Sequence, residues 1–130
     1  MPSTEAELAD GIGPTVALRD AGAQLTLGSD SNTVIDMLVE ARSVEMHHRL
    51  LTGRRGAWSA DQLWDAATST GRASLGFAAD AQVQFTSSIR TAGATELLWA
   101  ASAADVVPDR DPGAVADRLE RAVTNCWAAA

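Results

Sequence analysis

Lysine is absent from this chain. All ten of its fixed cationic side chains are arginine, set against 17 carboxylates for a formal net charge of −7. That balance excludes a general nucleic-acid surface, which needs clustered cations to meet phosphates. Missing lysine beside abundant alanine reads as a coding bias and carries no function. Cysteine is scarce too: a single Cys126 excludes an internal disulfide and fits a reducing compartment. No apolar run approaches the ~18 residues of a membrane span. The first residues are polar and acidic, unlike a signal peptide. The expected address is the cytoplasm, with neither nucleic acid nor membrane as a partner. At 130 residues the chain is one domain or part of one, with room for a modest core. No internal repeat and no low-complexity linker interrupts it.

What is present is mostly helical punctuation. Met1 to Gly13 reads as a loop. Pro14 suits the first turn of a short helix, Thr15 to Ala21, stopped by Gly22. Gln24 to Leu27 reads as a buried strand, because a helix before it and a helix after it make a βα unit. Thr33 with Asp36 forms a capping-box pattern for the next helix. Its apolar face is predicted from Ile35, Leu38, Val39, Met46 and Leu50, with Glu45 and Arg49 paired on the other side. Gly53 to Gly56 ends it. Ser59 with Gln62 starts another helix, with Leu63, Trp64 and Ala67 apolar and Gly71 as its C-cap. Ala81 to Thr86 alternates as a half-buried strand, and Thr95 to Ala104 reads as helix. After a Pro108–Gly113 turn, a last helix spans about Ala114 to Trp127, with Val115, Leu119, Ala122, Val123 and Cys126 on one face.

The stretch with chemical promise is Leu25-Thr26-Leu27-Gly28-Ser29-Asp30-Ser31. It puts Asp30 at the carboxyl end of a strand, where parallel α/β enzymes keep their chemistry. A carboxylate there can bind a metal or shuttle a proton, although turns and helix starts are the common use of aspartate. His47 and His48 are expected on a solvated helix shoulder. Adjacent helix positions point about 100° apart and do not chelate one ion as an i,i+4 pair does. Arg54-Arg55 reads as an exposed helix end suited to the dipole. Cys126 reads as a small core residue, not a nucleophile. The tryptophans at 58, 64, 99 and 127 read as packing residues.

Pro2-Ser3-Thr4-Glu5-Ala6-Glu7-Leu8-Ala9-Asp10-Gly11-Ile12-Gly13-Pro14 resembles the loop after the seventh strand in the deaminase branch of the amidohydrolase superfamily. Leu27-Gly28-Ser29-Asp30-Ser31, Ile35-Asp36, Glu40-Ala41-Arg42-Ser43-Val44-Glu45 and Arg49-Leu50 follow in order. Ala66-Ala67-Thr68, Gly71, Ser74-Leu75-Gly76, Ser88 to Gly93 and Ala101 to Val106 continue the series, less evenly after residue 77. Within the branch the combination is similar to the formimidoylglutamate deiminase family. The resemblance implies an α/β fold: the C-terminal piece of a (β/α)₈ metal-dependent hydrolase barrel, mostly helical as it stands. It divides the chain into a barrel part (1–76), a degenerate small-domain segment (77–107) and a C-terminal helix (108–130). A complete barrel needs about 200 residues or more.

The implied reaction is hydrolysis of N-formimino-L-glutamate to N-formyl-L-glutamate and ammonia, a step of histidine degradation. The implied cofactor is zinc, with Asp30 as both ligand and proton carrier. Glu5 and Asp10 match positions flanking a substrate pocket. Departures from the pattern are equally specific. No His-x-His occurs, Met1 stands where the pattern has Cys, and the expected segments after Gly76 and Val107 are missing. The expectation is therefore a barrel fragment that does not bind zinc stably or turn over alone, and that pairs as a homodimer or with a complementing barrel chain. The alternative is a non-catalytic helical protein that self-associates or binds an intact relative.

Overall fold

The computed structural model describes residues 1–30, 35–78, 83–87, 89, 93–108 and 111–128. Seven α-helices follow in order among them: α1 (Pro2–Leu8), α2 (Thr15–Asp20), α3 (Met37–Thr52), α4 (Ala60–Ala67), α5 (Ser69–Ser74), α6 (Ala94–Ala100) and α7 (Pro112–Ala128). A 3₁₀ turn occupies Ala103–Asp105.

α3 is the centre of the packing. Its N-cap is Asp36, whose Oδ1 accepts the amides of Leu38 (2.9 Å) and Val39 (3.1 Å). The same carboxylate reaches across the fold, Oδ2 accepting the amide of Ala103 at 2.9 Å. The capping-box pattern places the start at Thr33 with Asp36 inside the helix; Asp36 is instead the N-cap, with an extended backbone (φ −140°, ψ 98°), and Thr33 itself lies outside the described residues. The buried face of α3 is Leu38, Ala41 and Val44, joined by two fully buried glutamates, Glu40 and Glu45. Of the apolar face predicted for this helix, only Leu38 is buried; Ile35, Met46 and Leu50 are exposed. The core meets the row 38-41-44-45, in which Glu45 is tolerated because its carboxylate finds the Gly56 and Trp58 amides. The predicted Glu45–Arg49 pair does form, at 2.9 Å, but with Glu45 inside the protein.

α4 starts as expected. Ser59 accepts the Gln62 amide and the Gln62 side chain accepts the Ser59 amide, a closed capping box. The single helix expected through to Gly71 is in fact two. At Thr68 the backbone leaves helical geometry (φ −126°, ψ −87°), and its hydroxyl donates back to the Trp64 carbonyl at 2.6 Å. Such back-bonding competes with the helical ladder. Gly71 is thus interior to α5, not a C-cap. A Cβ at Gly71 would come within 3.3 Å of the Ala66 carbonyl oxygen, so this glycine lets α5 fold closely against α4.

The core gathers Leu38, Ala41 and Val44 of α3 with Trp58, Leu63, Leu98 and Ala101; Val16, Leu25, Leu27, Phe85 and Val106 pack around it. Arg42 ties α6 to α3 by donating to the carbonyls of Leu98 (3.2 Å) and Ala101 (2.6 Å), satisfying groups the helix end leaves open. Met1 to Gly13 is not all loop: Pro2 to Leu8 forms α1, ended by Ala9 in the left-handed region (φ 57°). No strand occurs among the described residues. Gln24 to Leu27 has the apolar content of a strand, yet among the described residues its ladder is a single bond from the Leu27 amide to the Ala66 carbonyl (3.2 Å). A strand needs a neighbour along its length to be one. Of the second predicted strand, 81 and 82 lie outside the described residues. Phe85 pairs with Val106 in one antiparallel bridge, flanked by Thr86 N–Asp105 O and Val107 N–Gln84 O bonds of 2.8 Å. α7 forms where expected, with Asp111 Oδ2 accepting the Ala114 amide at 2.9 Å. Its residues from Gly113 to Asn125 are all exposed, including Leu119 and Val123. The Cys126 and Trp127 side chains lie outside the described part.

Candidate functional site

Asp30 follows an extended stretch that is anchored on both sides. Leu25 and Leu27 pack against the core, and the Ser29 carbonyl accepts from the buried Thr4 hydroxyl at 3.5 Å. Asp30 itself is exposed and adopts a left-handed backbone, φ 53°. Aspartate tolerates that region better than most side chains. Its carboxylate has no hydrogen-bond or ion-pair partner among the described residues, so it faces solvent as an open acceptor.

Beneath this loop, Glu40 joins α3 to the start of α1. Its Oε2 accepts the Ser3 amide at 3.2 Å, while Oε1 is buried without a partner among the described residues. A buried carboxylate oxygen without a donor is costly. Glu40 escaped sequence reasoning because it was only part of a motif string; its spacing from the apolar Ala41 and Val44 was the available signal.

The histidines stand elsewhere. His47 and His48 are half-buried and line a cavity of about 360 Å³ between α1, α2 and α3, shared with Glu5, Asp20, Val44 and Leu51. The solvated-shoulder expectation is thereby corrected: positions 44, 47, 48 and 51 are one helical face, and that face lines the cavity together with residues of α1, α2 and the loop between them. Asp30 is not in the cavity wall. Glu5 is, and Asp10 is an exposed loop residue. Arg54 and Arg55 are exposed beyond the end of α3, as expected. Trp58, Trp64 and Trp99 are packing residues. Trp58 donates to the Thr15 hydroxyl at 3.2 Å under the Arg19 guanidinium. Trp64 meets Phe85 edge-on at 6.0 Å, and Arg49 covers Trp99 at 4.8 Å.

Zinc is the ion the resemblance implies, and the described residues do not fit it. They contain no group of three or more His, Cys, Asp or Glu side chains placed to hold a metal, whereas a catalytic zinc takes three protein ligands. Asp30 and the two imidazoles sit in separate places. No helix among the described residues is long and apolar enough to cross a membrane.

Comparison with known proteins adds what the geometry leaves open. The chain is 38% identical over 79 residues to the 5-methylthioadenosine/S-adenosylhomocysteine deaminase of Halobacterium salinarum. It is 38% identical over 78 residues to the protein of that name in Pelotomaculum thermopropionicum. It is 33% identical over 78 residues to the 5'-deoxyadenosine deaminase of Methanosarcina acetivorans. These relatives are deaminases. Each match takes in 58% of this chain and 18% of the relative, so the chain spans under a fifth of the length of the curated relatives it matches. No family model matches the chain, and no solved structure matches it. Formimidoylglutamate deiminase is not among the relatives named, so the coarser likeness, to deaminases, is the one they carry.

Proposed function

We propose that this chain is the last strand-and-helix segment of a metal-dependent deaminase of the amidohydrolase type, and that it works by docking on a barrel body that brings the imidazoles it lacks. The observation that carries this reading is the 38% identity to deaminases over 79 residues, taken with an exposed, unpartnered Asp30 at the end of the anchored 25–29 stretch. The reaction class is hydrolytic: water adds to a C=N carbon, the C–N bond to the departing nitrogen breaks, and ammonia leaves. Asp30 is the carboxylate suited to take the proton from water and deliver it to that nitrogen. By itself the chain offers one carboxylate to this task, and members of such a set lose most of their effect when the others are missing. We therefore assign it no turnover alone.

Two substrate classes follow from two lines of support. The relatives are named for 5'-modified adenosines. The motif series from Pro2 to Leu50 supports N-formimino-L-glutamate. Ammonia release from S-adenosylhomocysteine, 5'-deoxyadenosine and N-formimino-L-glutamate separates them. It is measured with the chain alone and with the Halobacterium salinarum relative cut before its matching segment. Expected is no ammonia from either piece, and release from the mixture that Asp30→Asn abolishes. Release by the isolated chain with stoichiometric zinc would overturn the docking reading.

A second reading, a non-catalytic helical protein that self-associates, is favoured by one observation: the apolar residues Val115, Leu119 and Val123 of α7 are all exposed, a face that association would cover. Sedimentation at several concentrations tests it. A monomer at all of them ends that reading.

A further inference from the structure

We infer that the cavity between α1, α2 and α3 is a binding site for a compact organic cation, a primary ammonium carried on a single apolar ring. The volume, about 360 Å³, lies at the small end of the range for ligand pockets, which suits one ring and a short arm. The wall has two regions. Val16 and the buried Val44 give it an apolar side, extended by the largely exposed Leu51, and Glu5, Asp20, His47 and His48 give it polar groups. Such a mixture, mostly apolar with a few placed polar groups, is the usual make-up of a small-molecule site.

Charge decides the ligand class. No arginine side chain lines the cavity, and the chain has no lysine. The wall's fixed charges are two carboxylates. Asp20 is already bonded by Arg19 at 2.9 Å. Glu5 is held only by a loose contact with the terminal ammonium of Met1 at 3.6 Å, both partners being partly exposed. Glu5, with its side chain about a third exposed, keeps acceptor capacity for a cation in the cavity. An anion entering the same space meets two carboxylates and no fixed cation in the wall. Asp30 is not in the cavity wall, and the titration reads binding by the chain alone, which the deaminase reading does not require.

The chain's only two histidines both line the cavity, so their Hε1 signals report it without background. The full chain is titrated at fixed pH with phenethylamine, 2-phenylethanol and phenylacetate, which share a ring and differ in head charge. Expected is a saturable shift of both imidazole signals by phenethylamine, with a Kd on the order of 1 mM for so small a ligand. The alcohol binds more weakly and phenylacetate leaves the signals in place. Glu5→Gln weakens the amine about three-fold, the scale of a partly exposed ion pair, and leaves the alcohol unchanged. Leu51→Trp, at a position 64% exposed and therefore tolerant of size, fills the cavity and removes the shifts; far-UV circular dichroism checks that both variants fold. Absence of a saturable shift, equal response to phenylacetate, or an unaltered response in Leu51→Trp overturns the proposal.

Discussion

Glu45→Ala is the substitution that asks most of this structure. The Glu45 side chain is fully buried and accepts three hydrogen bonds: from Arg49 Nε at 2.9 Å, from the Gly56 amide at 2.7 Å and from the Trp58 amide at 2.9 Å. It thereby closes the turn from α3 to α4 and holds Trp58 in the core. Truncation leaves the buried Trp58 amide without an acceptor, at a cost of roughly 1–3 kcal/mol. The emptied volume adds about 1 kcal/mol. Gly56 is exposed and Arg49 is about a third exposed, so water re-solvates both and their losses are small. The sum is about 3 kcal/mol, a large share of the roughly 5–15 kcal/mol that holds a domain together. Urea unfolding followed by tryptophan fluorescence reads it. With a slope of about 2 kcal/mol per molar, the midpoint falls by about 1.5 M. Glu120→Ala on exposed α7 is the control and moves it by less than about 0.3 M. A Glu45→Ala midpoint within that margin, at unchanged slope, would refute the assignment of Glu45 as the staple of this turn.

The same residue sets an acid dependence. Burial pushes the Glu45 carboxyl up, but the Arg49 hydrogen bond and the Gly56 and Trp58 amides together pull it below its ordinary value. A carboxyl lowered on folding contributes stability that is full above its unfolded pKa and is lost as pH falls through the folded one. The wild type is therefore expected to lose stability below the ordinary glutamate range. That part of the slope disappears in Glu45→Gln, as urea midpoints measured across pH 3–6 would show.

Further outcomes follow from single contacts. Asp36→Ala removes both the α3 cap and the acceptor of the Ala103 amide. It costs about 2 kcal/mol and speeds hydrogen exchange at Ala103 more than at Ala41. Ser59→Ala opens the capping box and costs about 1 kcal/mol in the same urea assay. Asp30→Gly is neutral within about 0.5 kcal/mol, because the side chain has no partner among the described residues and its left-handed backbone suits glycine; a larger loss would mean that Asp30 holds the fold. Leu119→Glu leaves the melting midpoint of dilute protein unchanged, since Leu119 is exposed, and dissolves any oligomer seen by sedimentation.

Three local signals, each joining residues within four positions of one another, were legible. The Ser59–Gln62 box, the Gly22 stop and the Glu45–Arg49 pair are of that kind, and each is found. What the spacing did not carry was the side of α3 that the core would meet. An i,i+4 Glu–Arg pair looks the same on a solvated face as on a buried one. Only the arrival of the Gly56 and Trp58 amides made burial of Glu45 tolerable. The break at Thr68 was likewise hidden, since it comes from a hydroxyl turning back on its own helix and from α5 pressing on Ala66.

The candidate chemistry divides along the same line. Sequence alone supplied an aspartate after an apolar stretch, in a motif order that resembles that of deaminases, and two adjacent histidines as all the imidazole of this chain. Tertiary structure alone decided that Asp30 faces solvent while His47 and His48 line the cavity, because side-chain direction on a helix depends on which face is packed. Covalent order sets which groups exist and which neighbours can bond locally; the packing of α1, α4 and α6 on α3 sets which distant groups share a space.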